Sequence, residues 1–395
     1  MQAAVRSIVR ASMAAAKEFS PWSRSVITLA VLAFLVGATY VHRALATGPL
    51  IDERTWVDRS LAPLWGPPYG DNIYYYAVHH PSFARMVYGG VLHAMGIYEF
   101  EAPLVDYSKS AEWNFDHGAM VPLGIETPLR LVNVAFLSGM IALVYFGLKR
   151  ILANRALAAA GCLPLIFNSA ILGGPCPYIG TDAMLLFWLA AFWFTWITLG
   201  ARGTWGVAAL SVVAGFLVST KLNGAFPVAG ACAYYAATGK GTQRIIRPLL
   251  LAAVPLAMFV AMNPIYRAQD LGWAVKVGKD VVRIMLELKA KSTSKEWAEF
   301  TRAEVLRESF PYWYFFIPWA AVAATARREK WFAPTIVWAS TVVFLNWALI
   351  YIPLLRYSAP ISMGFLVAFS ATGLTLVART FRESALGREI AGGGR

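Results

Sequence analysis

The sequence predicts an all-α integral membrane protein, a polytopic bundle of about ten transmembrane helices. Hydrophobic residues make up 58% of the 395 residues and charged residues only 14%, against about 25% charged in an average soluble domain. Apolar stretches recur at roughly the 20-residue length that a bilayer core requires. Basic residues cluster in every second connection between these stretches. These observations exclude a disordered chain, a disulfide scaffold, a collagen-like fibre and an ordinary water-soluble enzyme.

Ten apolar stretches are predicted to be transmembrane helices. They cover residues 26–46, 129–148, 156–173, 181–200, 204–220, 222–238, 247–265, 311–326, 331–352 and 357–378. A basic leader, residues 1–25, precedes the first stretch, and Ala44-Leu45-Ala46 resembles a signal-peptidase site. Because this apolar run is longer than a usual signal core, we expect an uncleaved anchor.

The charge distribution sets the orientation of the bundle, since cytoplasmic loops are enriched in Lys and Arg. With the N-terminus in the cytoplasm, the cytoplasmic segments, including the tail 379–395, hold 18 basic residues and four acidic ones. The formal net charge is +13, so topology accounts for the whole positive excess. We therefore expect no nucleic-acid partner.

Two segments are too long for turns, and both fall outside the cytoplasm. The outer loop 47–128 contains ten of the 22 acidic residues. The outer loop 266–310 contains an amphipathic stretch, residues 271–290. Its apolar residues are spaced to share one helical face. This stretch is interpreted either as a surface helix packed on the bundle or as a lid beside a lipid substrate.

Acidic and imidazole side chains in the first outer loop are candidates for chemistry. Asp52 and Glu53, in IDERTW, follow the first span and suggest a general base; a hydrated loop start is the alternative. His79 and His80, in HHPSFAR, could donate to a phosphate or orient a carboxylate. A zinc site would require further ligands at defined spacing, and we expect metal independence and no cofactor.

Three further candidates lie at the outer ends of predicted spans. Asp182 opens the fourth span, where a carboxylate also favours the helix dipole. Lys221, in STKLNG, and Arg356, in LLRYSAP, lie beside apolar helices. They suit a phosphate oxyanion; snorkelling to the interface is the alternative. Together the candidates suit chemistry on an anionic lipid headgroup.

The order of these motifs resembles the GT-C superfamily of polyprenyl-phosphate-dependent glycosyltransferases, most closely protein O-mannosyltransferases and lipid A aminoarabinose transferases. The resemblance covers roughly residues 45–378. The matching stretches are IDERTW, HHPSFARMVYG, TPLRLVNVAFLSGMIALVYFGLKR, IGTDAMLLFWLAAFW, GFLVSTKLNG, AMNPIY, FPYWYFFIPWA and LLRYSAPISMGFLVAFSATGL. It implies a catalytic domain at 26–378 whose site lies between the first outer loop and the bundle.

The resemblance also implies residue roles. The donor would be a sugar on a polyprenyl monophosphate, and the reaction an inverting single displacement. Asp52 would be the base and Glu53 its neighbour in a catalytic pair. The expected phosphate-binding residues are Lys221, Arg356, His79 and His80, and the expected pocket organisers are Asp182 and Tyr357.

Some features depart from the family pattern. Ser82 replaces the second proline after the histidines, and no large soluble domain follows the last span. A lipid or glycan acceptor thus becomes more plausible than a protein. No N-x-S/T sequon occurs, which favours a bacterial inner membrane with the site facing the periplasm. A transporter or lipid flippase and a non-catalytic scaffold subunit stay open as alternatives.

Overall fold

A computed structural model describes residues 21–48, 51–61, 82–99, 106, 109–200, 202–263, 279, 283, 323–349 and 358–383. Within these ranges the secondary structure is entirely helix and turn, which confirms the predicted all-α class. Most of the predicted amphipathic stretch 271–290 lies outside the described residues.

Among the described residues, the N-terminal third forms one long helix and three shorter ones. The long helix begins as α1 (Pro21–Val36), passes through a π-helical turn (Gly37–Val41) and ends as α2 (His42–Ala46). The shorter helices belong to the first outer loop. They are α3 (Ile51–Leu61), α4 (Ser82–Ala94) and α5 (Ala111–Asp116).

The remaining helices form the bundle. They are α6 (Leu123–Leu152), α7 (Arg155–Ile166), α8 (Ser169–Gly173), α9 (Asp182–Leu199), α10 (Gly203–Thr220), α11 (Ala225–Thr238), α12 (Gln243–Met262), α13 (Phe332–Leu349) and α14 (Ala359–Glu383). A single 3₁₀ turn, Leu222–Gly224, separates α10 from α11.

Six of the described helices are long and apolar enough to cross a membrane: Val26–Ala46, Leu123–Leu152, Asp182–Leu199, Gly203–Thr220, Gln243–Met262 and Ala359–Phe381. Arg155–Ile166 and Phe332–Trp347 are shorter apolar helices. The chain is therefore a multi-pass membrane protein, although the predicted number of ten spans is not confirmed. Most of the predicted span 311–326 lies outside the described residues.

The predicted third span, residues 156–173, is two helices rather than one. Helix α7 ends at Ile166, and the side chain of Asn168 accepts a hydrogen bond from the backbone N–H of Ile171, 3.1 Å away. This contact caps the N-terminus of α8. Asn154 caps α7 in the same way through Leu157 at 3.0 Å. The apolar run in the sequence therefore contains a break between two helices, and a polar capping residue marks the start of the second helix.

Helix α9 lies in the middle of the bundle and packs against α6 and α10. The ring of Trp193 on α9 is fully buried, and a Cβ atom at position 147 of α6 would lie 2.3 Å from it. Only glycine therefore lets α6 approach α9 this closely. The indole N–H of Trp193 donates to Thr335 Oγ1 at 3.0 Å, which links α9 to α13.

The two ends of the bundle differ in their charged residues. At one end, hereafter the acidic end, lie the buried carboxylates of Glu53, Glu126 and Asp182. At the other, the basic end, helices begin or stop next to cations; these are Lys149, Arg150, Arg155, Arg202, Lys240, Arg244, Arg247, Arg327, Arg328, Lys330 and Arg379. By the positive-inside rule the basic end is expected to face the cytoplasm.

Candidate functional site

Helices α3 and α4 of the first outer loop cover the acidic end of the bundle. They touch backbone to backbone, because a Cβ atom at Gly89 would lie 2.5 Å from the carbonyl oxygen of Ser60. Trp56 and Val57 of α3 and Tyr88 of α4 are buried in one apolar cluster. These packing contacts hold α3 and α4 against each other and over the bundle.

A buried ion pair joins α3 to α6. The guanidinium of Arg130 donates through Nε to Glu53 Oε1 at 3.0 Å and through Nη2 to Glu53 Oε2 at 2.8 Å. Glu53 is 0% exposed and Arg130 2%. Bidentate, charge-assisted pairs of this kind are directional as well as strong. The pair fixes the orientation of α3 at the position next to Asp52.

Arg130 also binds the chain that leads into α3. Its Nη1 donates to the carbonyl oxygens of Ala44, at 3.1 Å, and of Thr47, and its Nη2 donates to that of Gly48 at 2.8 Å. One turn earlier on α6, the buried carboxylate of Glu126 contacts Arg130 Nη2. The guanidinium of Arg130 therefore contacts two carboxylates and the end of α2.

Glu53 extends this network to the loop that precedes α9. Its Oε1 accepts a hydrogen bond from the backbone N–H of Ile179 at 3.1 Å. The adjacent loop residues are held as well: Asn133 Nδ2 donates to the carbonyl oxygen of Tyr178 at 2.7 Å. The loop leading to Asp182 is thus held by side chains from α3 and α6.

The hydroxyl of Tyr88 completes the support of this loop. It lies 2.5 Å from Asn133 Oδ1 and 2.8 Å from the carbonyl oxygen of Gly180, and the N–H of Gly180 points to it at 3.2 Å. Burial raises the pKa of Tyr88 far above its usual range, and the carboxylates of Asp182 and Glu53 add to the shift. The hydroxyl therefore stays neutral and serves as a hydrogen-bonding group.

Asp182 and Lys221, both predicted from the sequence, form an ion pair. Lys221 Nζ lies 2.6 Å from Asp182 Oδ1, and their side chains are only 14% and 7% exposed. Lys221 is thus turned toward the first turn of α9 and does not snorkel to water. Asp182 is the first residue of α9, after the N-cap residue Thr181, and its carboxylate faces Lys221.

A further contact ties the end of α12 to the start of α4. Asn263 Oδ1 accepts hydrogen bonds from the backbone N–H of Ser82 at 2.9 Å and from its hydroxyl at 2.8 Å. Asn263 Nδ2 in turn donates to the carbonyl oxygen of Phe259 at 2.7 Å. Asn263 is 1% exposed and Ser82 5%. This pair closes the acidic end on the side where the His-His-Pro segment leads into α4.

The other predicted site residues belong to α3 and to segments outside the described part of the chain. Residue 52 lies on α3, one position before Glu53, and its side chain lies outside the described part. His79 and His80, in 62–81, and Arg356 and Tyr357, in 350–357, lie outside the described residues. Their roles stay predictions, as do those of the described candidates.

Sequence reasoning missed Arg130, Glu126, Asn133 and Tyr88 as parts of this site. The sequence does identify Arg130 as a candidate, because it lies at the edge of the predicted span 129–148. An ionisable group at membrane depth is a functional candidate. The other three showed no distinguishing pattern in a single sequence.

Comparisons with known proteins agree with this architecture. The structure of ArnT from Cupriavidus metallidurans bound to undecaprenyl phosphate is similar with a TM-score of 0.52 and 15% identity, over 94% of this chain and 63% of that one. The Archaeoglobus fulgidus oligosaccharyltransferase tethered with an acceptor peptide gives a TM-score of 0.55 and 12% identity, over 95% and 52%. At these identities the similarity shows the fold.

A third structure, the S. cerevisiae protein O-mannosyltransferase Pmt1-Pmt2 complex bound to the sugar donor, matches with a TM-score of 0.45 and 17% identity, over 62% of this chain and 34% of that one. The chain thus spans between one third and two thirds of these three proteins. No curated protein matches it in sequence.

The sequence itself matches one protein family. Residues 66–263, half of the chain, match the family described as dolichyl-phosphate-mannose-protein mannosyltransferase. This range holds Arg130, Asp182, Lys221 and Asn263 of the site, and Glu53 precedes it. The chain belongs to this mannosyltransferase family, within the GT-C superfamily of membrane glycosyltransferases.

Proposed function

We propose that the protein is a membrane glycosyltransferase that moves a monosaccharide from a polyprenyl-phosphate donor to an extracytoplasmic lipid, glycan or protein acceptor by inverting displacement. The observation that carries this proposal is the clustering at the acidic end. There one buried network centred on Arg130 holds the helix that bears Asp52 and the loop that leads to the ion pair of Asp182 with Lys221.

The proposed reaction is a single displacement at the anomeric carbon. The acceptor hydroxyl oxygen attacks this carbon, its proton passes to the carboxylate of Asp52, and the bond from the anomeric carbon to the phosphate oxygen breaks. The electron pair of that bond stays on the phosphate. A positioned base contributes about 10²- to 10⁴-fold to such a step. The products are the glycoside, with inverted configuration, and the polyprenyl phosphate.

Lys221 is the described cation best suited to the donor phosphate. Its ammonium is largely buried and held 2.6 Å from Asp182, so it is an oriented hydrogen-bond donor in an environment of low dielectric. In the proposed mechanism it stabilises the charge that grows on the leaving phosphate. Arg356, His79 and His80 are proposed to share this task, with Tyr357 and Asp182 organising the pocket around them.

An apolar groove near Lys221 supports a lipid-linked donor. It lies between α10, α11 and α12, has a volume of about 560 Å³, and begins one residue from Lys221. Its lining includes Val218, Leu222, Ala225, Ala229, Leu256 and Phe259. From Leu222 to Cys232 it follows the chain for roughly 15 Å at the rise of a helix. An isoprenoid chain fits this combination of length and apolar lining.

Localisation follows from the charge asymmetry. The basic end is proposed to face the cytoplasm, so that the acidic end faces the periplasm of a bacterial inner membrane. A transporter or flippase would use ionisable groups near the bilayer midplane. In the part of the chain that the structure describes, the buried carboxylates lie at one end of the bundle instead, which favours the transferase.

Transfer of a radiolabelled sugar from a polyprenyl-phosphate donor tests the proposal. Purified wild-type protein should form labelled product, and Asp52→Asn should lower the rate by at least about 10²-fold. Asp116→Asn is a matched control, because it removes the same charge from an exposed position in the same outer loop. Equal rates for Asp52→Asn and wild type would remove Asp52 as the base.

A further inference from the structure

A second charged site lies at the basic end of the bundle, opposite the proposed active site. A groove of about 540 Å³ is lined, among the described residues, by Ala324, Thr325, Arg327, Arg328 and Arg379. We call it the basic groove. It lies between the turn that leads into α13 and the last turns of α14. Arg379 is 20 residues after Ala359, the first residue of α14, so the groove is about 30 Å along the helix from the acidic end.

Two fixed contacts hold one wall of the basic groove in place. Arg379 Nη1 donates to the carbonyl oxygen of Thr325 at 3.0 Å, and Arg379 Nη2 lies 2.5 Å from Glu329 Oε1. Glu329 therefore neutralises Arg379. Arg327 and Arg328 have exposed side chains, and within the described part of the chain neither pairs with a carboxylate. The groove thus keeps two uncompensated guanidinium groups.

The surroundings of the groove place it at the boundary between lipid and water. On α14, Val377 and Phe381 are 51% and 46% exposed; two positions before and after Arg379, they project from the opposite side of the helix, as expected for side chains that face lipid tails. Trp331 and Phe332, half-buried aromatic residues at the start of α13, are typical of the headgroup level. The groove therefore lies at the depth where lipid-facing side chains give way to charged ones.

We infer that the basic groove binds the phosphate headgroup of an anionic phospholipid of the membrane in which the protein lies. Guanidinium groups bind phosphate oxygens through parallel hydrogen bonds, and basic pockets at the cytoplasmic ends of helices attract anionic lipids. The adjacent lipid-facing side chains favour a phospholipid over a soluble anion. Basic residues that only set the orientation in the membrane need not line a groove, since they can be spread over all the cytoplasmic turns.

Lipid-dependent stabilisation of the purified full-length protein tests this inference. Phosphatidylglycerol is titrated into detergent-solubilised protein, and the apparent Kd is read from the thermal unfolding shift, with phosphatidylcholine as the neutral lipid. We expect phosphatidylglycerol to stabilise the wild type more than phosphatidylcholine does. The double variant Arg327→Gln/Arg328→Gln should bind phosphatidylglycerol about tenfold more weakly, the effect of losing roughly 1.4 kcal/mol of contact.

A matched double variant separates the groove from general basic charge. Arg202→Gln/Lys240→Gln removes two exposed cations from the same end of the bundle but outside the groove, and should bind phosphatidylglycerol like the wild type. Equal loss in both double variants, or equal stabilisation by phosphatidylcholine, would overturn the inference. Stabilisation by inorganic phosphate at the same concentration would also overturn it, in favour of a soluble anion. If the groove variant does not fold, Arg327→Gln and Arg328→Gln are measured singly, and each must weaken binding.

Discussion

The carboxylate of Glu53 and the guanidinium of Arg130, 77 positions apart, form a buried bidentate ion pair with distances of 3.0 and 2.8 Å. This contact joins the first outer loop to the bundle one residue after the proposed base, Asp52. It also brings the end of α2, through Ala44, to the same guanidinium. The position of the proposed catalytic helix therefore depends on a residue in α6.

Removing Arg130 should destabilise the protein strongly. Arg130→Met leaves the carboxylates of Glu53 and Glu126 buried without their cation, and breaking a buried pair in this way costs about 3–5 kcal/mol. Arg130→Lys should recover only part of the loss, because an ammonium cannot bind both carboxylate oxygens in the geometry of a fork. Unfolding midpoints of the purified variants measure both effects.

Arg202→Met serves as the control for Arg130, because Arg202 is exposed at the basic end. It should leave the unfolding midpoint near that of the wild type. Equal midpoints for Arg130→Met and Arg202→Met would show that the ion pair does not hold α3 to the bundle.

Lys221→Met should reduce sugar transfer by about 10²- to 10³-fold, the range for losing one group that stabilises transition-state charge. Lys240→Met, which removes an exposed lysine from the opposite end, should transfer at the wild-type rate. Steady-state rates at several donor concentrations separate a loss of kcat from a rise in KM. A Lys221→Met variant as active as Lys240→Met would exclude Lys221 as the phosphate-binding cation.

Tyr88 should contribute stability that is lost in alkali. Its pKa is raised in the folded protein, so the contribution is fully present below the unfolded pKa of about 10 and decreases above it, where only the unfolded state ionises. Tyr88→Phe should lower the unfolding midpoint at pH 8, since it removes the hydrogen bonds to Gly180 and Asn133, worth about 1–3 kcal/mol. The deficit should shrink between pH 10 and 11.

Tyr98→Phe is the control for this pH series, because Tyr98 is 65% exposed. Its midpoint should follow the wild type at every pH. A deficit for Tyr88→Phe that stays constant or grows in alkali would mean that Tyr88 is not held neutral by its surroundings.

Asn263 should act through its ability to accept hydrogen bonds from Ser82. Asn263→Ala removes both contacts and should slow sugar transfer, because the start of α4 is no longer tied to α12. Asn263→Asp keeps an acceptor oxygen for Ser82 but loses the Nδ2 donor to the carbonyl oxygen of Phe259, so it should restore part of the rate. Transfer rates of the two variants, at equal amounts of folded protein, make the comparison. If the aspartate variant is as slow as the alanine variant, the acceptor contacts are not what Asn263 provides.

Much of the helical framework could be predicted from the sequence, because apolar stretches of bilayer length leave few alternatives to helices. The limits of helices were harder to predict. The predicted span 156–173 breaks at Asn168, whose cap to Ile171 is a local polar contact within an apolar run. Hydrophobicity averaged over a window does not register such a contact.

The candidate site could be predicted only in part. Asp182 and Lys221 were recognisable as charges at the ends of spans, but their contact joins positions 39 residues apart. Arg130 was visible as a charge at membrane depth, yet its partners Glu53 and Ala44 come from 77 and 86 positions earlier. Such contacts depend on how helices pack, which no local pattern in one sequence specifies.

In the proposed mechanism the donor phosphate binds at the acidic end beside Lys221. A cryo-electron microscopy structure of the protein with a polyprenyl phosphate would show this site. We expect phosphate density within hydrogen-bonding distance of Lys221 Nζ and the isoprenoid chain in the groove between α10, α11 and α12. Phosphate density at the basic end alone, or a bundle with no room for a sugar between α3 and Lys221, would contradict it.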